Sequence, residues 1–197
     1  WNGICTYGGL ALGAPLGVKL ETEWSMGALG GMVLLLGLAG LGLAVSRAAV
    51  AIVGGHRMAF KSVVMRVFPH GMALGLGSVG FGTLAAFVAL YYASFSWEGA
   101  AHALSAFGCA FIGVRLLLAG TITRFGGFRV AQVSVLVEAA GLLLLWLAPN
   151  PTAALLGAAL TGCGFALVFP AIGVEAVARV PAGSRGAALG AYSAFLD

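Results

Sequence analysis

Two carboxylates in this sequence stand inside long apolar runs, where a charge has no water to face. Glu138 lies about nine residues into the run 130–148, near the mid-depth of a bilayer at about 1.5 Å rise per residue. Asp197 lies about eleven residues into a run that begins near 186, so it too reaches depth. An acid so placed can exchange a proton or contact a polar substrate; it can also stay neutral and bonded to a neighbouring helix. His70, at the start of the run 68–93, carries an imidazole, the group that changes charge near neutral pH. His102, at the outer end of the run 99–118, carries the same chemistry, and a plain interfacial role suits both.

Other chemistries lack their residues. Cys5, Cys109 and Cys163 are scattered through apolar sequence without CxxC spacing, and read as small packing residues. No Ser/His/Asp constellation, metal-ligand cluster or P-loop is present, so no catalytic residue, metal or cofactor is expected, and an enzyme is not. Gly75-Leu76-Gly77-Ser78-Val79-Gly80 matches the dinucleotide fingerprint GxGxxG, and Glu98 follows at a suitable distance. That fingerprint must leave a strand and open a helix. Here it sits inside one apolar run, so Gly75, Gly77 and Gly80 are expected to form a helix hinge.

The elements that must hold these residues follow from composition. Of the 197 residues, 61% are apolar and 8% are Asp, Glu, Lys or Arg, with a mean hydropathy of +1.06. A soluble domain carries roughly 25% charged residues. The excess apolar surface needs a second apolar solvent, and the lipid bilayer supplies one. The net charge of +4 comes from basic residues in no dense run, so a nucleic-acid partner is not expected.

A spanning helix needs roughly 20 apolar residues. The runs 1–20, 27–46, 68–93, 99–118, 130–148 and 152–174 qualify, and a seventh starts near 186. The expected fold is an all-α polytopic membrane helix bundle, six full spans plus a partial seventh. Period-two alternation is absent, which argues against a β-barrel. Among the first, third and fifth gaps only Lys19 is basic. The second, fourth and sixth hold Arg47, Arg57, Lys61, Arg66, Arg115, Arg124, Arg129, Arg179 and Arg185. The positive-inside rule then places the even gaps in the cytoplasm. Arg115, Arg124, Arg129 and Glu175 should meet at that face, as anchors or as a latch between conformations. Both ends of the sequence look cut.

Glycine is abundant, with 32 residues. The stripe Gly9, Gly13, Gly17 and the set Gly27, Gly30, Gly31, Gly37, Gly40 are expected to let helices pack closely or flex. Pro15 and Pro170 should kink their helices, Pro170 behind the pliable Gly162-Cys163-Gly164, and Pro149-Asn150-Pro151 should make a tight turn.

The stretch Ala119-Gly120-Thr121-Ile122-Thr123-Arg124-Phe125-Gly126-Gly127-Phe128-Arg129 resembles the weaker, helix 8–9 copy of the major facilitator superfamily signature GxxxDRxGRR. Ala119 stands in place of its first Gly and Thr123 in place of its Asp, so an Asp-based charge relay has no support. Gly9-Leu10-Ala11-Leu12-Gly13-Ala14-Pro15-Leu16-Gly17 resembles the helix 5 motif of that superfamily's antiporters, with Ala14 inserted. Residues 164–177 and 184–192 are similar to helices 10 and 11 of its YfcJ/YhhS-like branch.

The resemblance implies helices 5 to 11 of a transporter. Residues 1–46 would close the N-terminal bundle, 47–66 would be the cytoplasmic central linker, and 67–197 would be a C-terminal bundle truncated in helix 11. It also implies a cavity lined by helices 7, 8, 10 and 11, with helix 9, which carries Glu138, more peripheral; this lowers Glu138 as a substrate contact and raises Asp197, Tyr91 and Tyr92 as substrate or proton contacts, with His70 a further candidate. Arg124 and Glu175 would form a cytoplasmic gate. The expected function is proton-coupled efflux of small organic solutes in the bacterial cytoplasmic (inner) membrane. The partners would be lipid, substrate, protons and the missing helices. A truncated, non-transporting membrane fragment is the alternative, and a membrane-embedded enzyme a weaker one.

Overall fold

The computed structural model describes residues 2–48 and 57–196. Its helices are α1 (Asn2–Glu23), α2 (Met26–Val45), α3 (Phe60–Ser94), α4 (Ala100–Leu117), the short α5 (Thr121–Phe125), α6 (Gly127–Trp146), α7 (Pro151–Ala178) and α8 (Arg185–Ser193). A 3-10 turn, Ala182–Ser184, precedes α8. No strand occurs among the described residues. The chain is an all-α membrane helix bundle. Five of its helices, α2, α3, α4, α6 and α7, are long and apolar enough to cross a membrane.

The first expected span departs from this set. α1 is a 22-residue helix, but Asn2, Thr6, Tyr7, Pro15 and Lys19 dilute its apolar run. α3 is longer than its run, because the helix begins at Phe60 and takes up Lys61 and Arg66 from the expected linker. Residues 49–56 of that linker, and Asp197, lie outside the described residues.

Local chemistry sets several helix ends. The Ser25 side chain accepts from the Ala28 amide at 3.2 Å and opens α2. Asn150 does the same for α7, accepting from Ala153 at 2.9 Å, and Pro151 takes the first helical position. Gly126, at φ +85°, turns the chain between α5 and α6, a conformation that favours glycine.

α7 is the central helix, packed against α6, α4, α3 and α8. Glycines bring the main chains together. A Cβ at Gly164 would meet the Glu138 Cα and the Ser134 carbonyl at 2.6 Å, and one at Gly157 would meet the Leu145 amide at 2.6 Å. Gly162 lies as closely on Phe107 of α4, and Gly108 of α4 lies on Tyr7 and Ala11 of α1. An aromatic cluster fills the space between: Phe81 stacks on Phe107 and Phe165 at centroid distances of 5.0 and 5.5 Å, and Tyr7 meets Phe111 at 4.1 Å. The glycine stripes singled out in α1 and α2 do less. A side chain at Gly9, Gly13, Gly30, Gly31, Gly37 or Gly40 would meet nothing within 4 Å among the described residues. α2 buries no residue, and among the described residues it leans chiefly on α1.

Two prolines create a second packing rule. Proline has no N–H, so the carbonyl four residues earlier loses its helical donor. Pro15 leaves the Ala11 carbonyl in this state, and the Ser105 hydroxyl of α4 donates to it at 2.7 Å. Pro170 leaves the Ala166 carbonyl, and the Arg115 guanidinium, also from α4, donates to it at 2.7 Å. α4 thus supplies both missing donors.

Replacing Gly164 with Leu should separate α7 from α6 and cost about 1–3 kcal/mol, in the range for overpacked cores. Thermal unfolding of the full-length protein in detergent should show a lowered Tm. Ser105→Ala should cost about 0.5–1.5 kcal/mol, and distinctly less in a Pro15→Ala background, where the amide at position 15 again reaches Ala11. Equal costs in both backgrounds would refute the assignment of that hydrogen bond.

Candidate functional site

A cavity of about 500 Å³ opens between α3 and α6, lined by Leu76, Gly80, Thr83, Phe87 and Tyr91 of α3 and by Glu138, Leu142 and Trp146 of α6. The α3 positions recur at intervals of three and four, one stripe of a helix. A second cavity of about 810 Å³ continues toward the basic end of the bundle, lined by His70, Phe128, Gln132, Glu175 and Arg179. Both cavities include Leu76, Gly77 and Val135, so they form one groove.

Glu138 is 3% exposed. The close fit of its backbone against Gly164 aims the side chain away from α7 and toward α3. There Gly80 leaves room, since a Cβ at that position would stand 2.5 Å from Glu138 Oε1. The Phe81 main chain lies beside the carboxyl, yet neither oxygen makes a hydrogen bond that satisfies distance and angle. His70 Nδ1 is also buried without a hydrogen-bond partner. Among the described residues, these three atoms are the buried side-chain nitrogens and oxygens left unpaired, and their residues line the one groove.

The other expected site residues are distributed differently. Tyr91 lines the groove, but its hydroxyl donates to the Leu145 carbonyl at 2.9 Å. Tyr92 is buried, and its hydroxyl donates to the Pro151 carbonyl at 3.1 Å. Together they tie the end of α3 to the α6–α7 turn. Gly75 and Gly77 lie within the unbroken α3, close to Phe195 and Val168 respectively. The GxGxxG match is thus interior to a helix.

At the basic end, Arg66 donates to the Arg179 carbonyl at 3.2 Å and the Met58 amide donates to the Ser184 hydroxyl at 2.9 Å. These bonds bring the start of α3, with the segment before it, and the α7–α8 connection to one face, as the alternation of basic gaps expects for the second and sixth gaps. Glu175 lies against Gly127, where a Cβ would stand 3.0 Å from its carboxylate, and it shares the larger cavity with His70 and Arg179. Arg124 is exposed and lies over the Phe125 ring at 5.2 Å. Arg129 is exposed beside a cavity that includes Ser134 and Cys163. Arg115 faces Ala166, and with Pro170 and Arg185 it borders a further cavity of about 510 Å³.

Sequence reasoning missed Gly80 as the space beside Glu138, and it missed Thr83, Phe87 and Trp146 as lining. The three-and-four spacing from Leu76 to Tyr91 was the available signal. It also missed Tyr192, whose hydroxyl donates to the Phe169 carbonyl at 2.8 Å and braces α8 against α7.

Chemically, the groove holds one buried carboxyl in apolar surroundings, a group able to hold or release a proton. No protein-family model matches the chain, and no solved structure matches it. Curated relatives do match over all 197 residues. An MFS-type transporter of Burkholderia mallei strain SAVP1 and one of Burkholderia pseudomallei strain K96243 are each 58% identical, and the chain covers 48% of their length. An MFS-type transporter of Pseudomonas aeruginosa strain LESB58 is 58% identical, with 49% of its length covered. All three carry the description "uncharacterized". Identity at that level along the whole chain makes it homologous to the MFS-type transporters, the major facilitator family, of whose length it spans about half.

Proposed function

We propose that this chain is part of a secondary transporter that exports small organic solutes by alternating access, coupled to protons at Glu138. The observation that carries the reading is the Glu138 carboxyl, 3% exposed and without a hydrogen-bond partner, in a groove between two spanning helices. Leaving such a group unpaired costs about 1–3 kcal/mol. An unpaired intramembrane acid at that cost is a mark of proton or substrate handling. His70, in the same groove nearer the basic end, is the second group on the proton route, and Asp197 is a third candidate.

The wider assignment follows from the resemblance and the relatives' names. Residues 1–46 contribute the last two helices of an N-terminal bundle, 47–66 the central linker and 67–197 a C-terminal bundle. Arg115, Arg124, Arg129 and Glu175 form the cytoplasmic gate. Gly75, Gly77, Gly80 and Pro170 are the positions at which helices bend. The membrane is the bacterial cytoplasmic (inner) membrane.

The test is proteoliposome transport by the full-length protein under an imposed pH gradient, across a panel of organic solutes. Gradient-driven flux is expected in wild type. Glu138→Gln should abolish the gradient dependence, and Asp197→Asn is measured beside it. Flux that keeps its gradient dependence in Glu138→Gln would remove Glu138 from the coupling step. An absence of flux for every solute, from correctly folded protein, would overturn the transporter reading.

A further inference from the structure

α4 and α6 both pack on α7 and hardly on each other, so a second groove stays open between them. It encloses about 490 Å³. Val114 and Leu118 of α4 form one wall, Val133 and Val137 of α6 the other, and Leu167 of α7 lies on the floor. At its basic end the α4–α6 connection closes over it through Phe125, and Arg129 stands at the rim. Arg124 lies over the Phe125 ring at 5.2 Å, which puts a second guanidinium at the same mouth. No Asp or Glu borders this groove among the described residues. Glu175 lines the larger cavity instead, on the face of α6 that carries Phe128 and Gln132. All three helices of the groove are long and apolar enough to cross a membrane. α1 occupies a different face of α4, the one with Gly108 and Phe111, and α8 packs on α3 and α7. Neither borders this groove, and Val133 is left 62% exposed.

We propose that the groove between α4 and α6 seats one anionic phospholipid of the cytoplasmic leaflet, of the phosphatidylglycerol class. Its phosphate is set against Arg129 and Arg124, and one acyl chain lies between Val114 and Leu118 on one side and Val133 and Val137 on the other. Three features select this ligand. The mouth carries two exposed guanidiniums and no bordering acid, which complements a phosphate and penalises a cation. The depth is hydrocarbon, which suits an acyl chain and not a water-soluble anion. The lining from Arg129 to Val137 runs about 12 Å along α6, most of the roughly 15 Å that the hydrocarbon of one leaflet occupies. The basic end is also the end that the positive-inside rule assigns to the cytoplasm, where anionic headgroups lie.

This inference does not rest on the transport reading, and it gives Arg124 and Arg129 a ligand besides the gate proposed above. The test is native mass spectrometry of the delipidated full-length protein in detergent, titrated with phosphatidylglycerol or with phosphatidylcholine of the same acyl chains. Wild type should bind the anionic lipid roughly 25-fold more tightly than the variant with both Arg124→Gln and Arg129→Gln, and Arg129→Gln alone should lose about fivefold, the attraction of one basic residue. Phosphatidylcholine should bind wild type more weakly than phosphatidylglycerol. Lys61→Gln, which removes an exposed charge away from the groove, should leave the affinity unchanged. Val133→Trp, which fills the groove and keeps both arginines, should lower it. Equal affinity of wild type for the two lipids, a comparison that needs no variant, would overturn the site. So would unchanged affinity in a folded Arg129→Gln. Full affinity in Val133→Trp would reduce the binding to surface attraction and overturn the acyl seat. Competition by inorganic phosphate would assign the arginines to a free anion instead. A dimer that Val133→Trp disrupts, in place of lipid binding, would assign the face to a second copy of the protein.

Discussion

The close approach of α7 to α6 and α4 is the constraint on which the rest of the bundle depends. Between helices in a bilayer there is no hydrophobic driving force of the kind that assembles a soluble core, since lipid is as apolar as leucine. Close packing and hydrogen bonds must do the work. Gly157 and Gly164 meet the main chain of α6, and Gly162 meets that of α4. Once Gly164 lies against the backbone at Glu138, the direction of the carboxyl is decided. It points toward α3, and Gly80 is the position on α3 that gives it space. The groove is therefore a consequence of where glycine was placed on two separate helices, α7 and α3.

The same apolar solvent makes every polar group inside the bundle a test of the packing. The carbonyls released by Pro15 and Pro170 find donors in Ser105 and Arg115. The hydroxyls of Tyr91, Tyr92 and Tyr192 find main-chain carbonyls. Thr161, fully buried in α7, donates to the Gly157 carbonyl at 2.8 Å. Against this thorough pairing, His70 and Glu138 stand apart, and both line one groove. Each unpaired group costs about 1–3 kcal/mol, comparable to what a glycine contact of the kind at Gly164 protects. The exceptions therefore carry information that a tally of intramembrane polar residues would not.

Arg115 shows how one observation can serve two roles. Its hydrogen bond to Ala166 repairs the helix at Pro170, and it borders a cavity with Arg185 at the basic end. A bond that spans α4 and α7 beside Pro170 is one that must be broken or kept whenever those helices move against each other. That gives its proposed place at the cytoplasmic gate a physical content that charge position alone does not.

Much of the fold was legible in the sequence. Runs of roughly 20 apolar residues have few other uses, and the alternation of basic gaps put the second and sixth gaps on one face, where the Arg66 and Met58 bonds join them. Asn150 and Pro151 announced their turn, because capping depends on neighbours in the chain. Glu138 was legible as an anomaly for the same local reason. What the sequence left open was which glycines pack within this chain: Gly9 and Gly13 have the spacing but meet no partner among the described residues, while Gly80, Gly141 and Gly164 make the contacts. A glycine's role is set by the helix opposite it, and a one-dimensional pattern cannot name that helix. Likewise the pairing of Ser105 with Pro15 and of Arg115 with Pro170, and the placing of His70 and Glu138 along adjoining cavities, were decided only by tertiary structure. Local composition determines that a helix crosses the bilayer, but the rotation of each helix about its axis decides which side chains face one another.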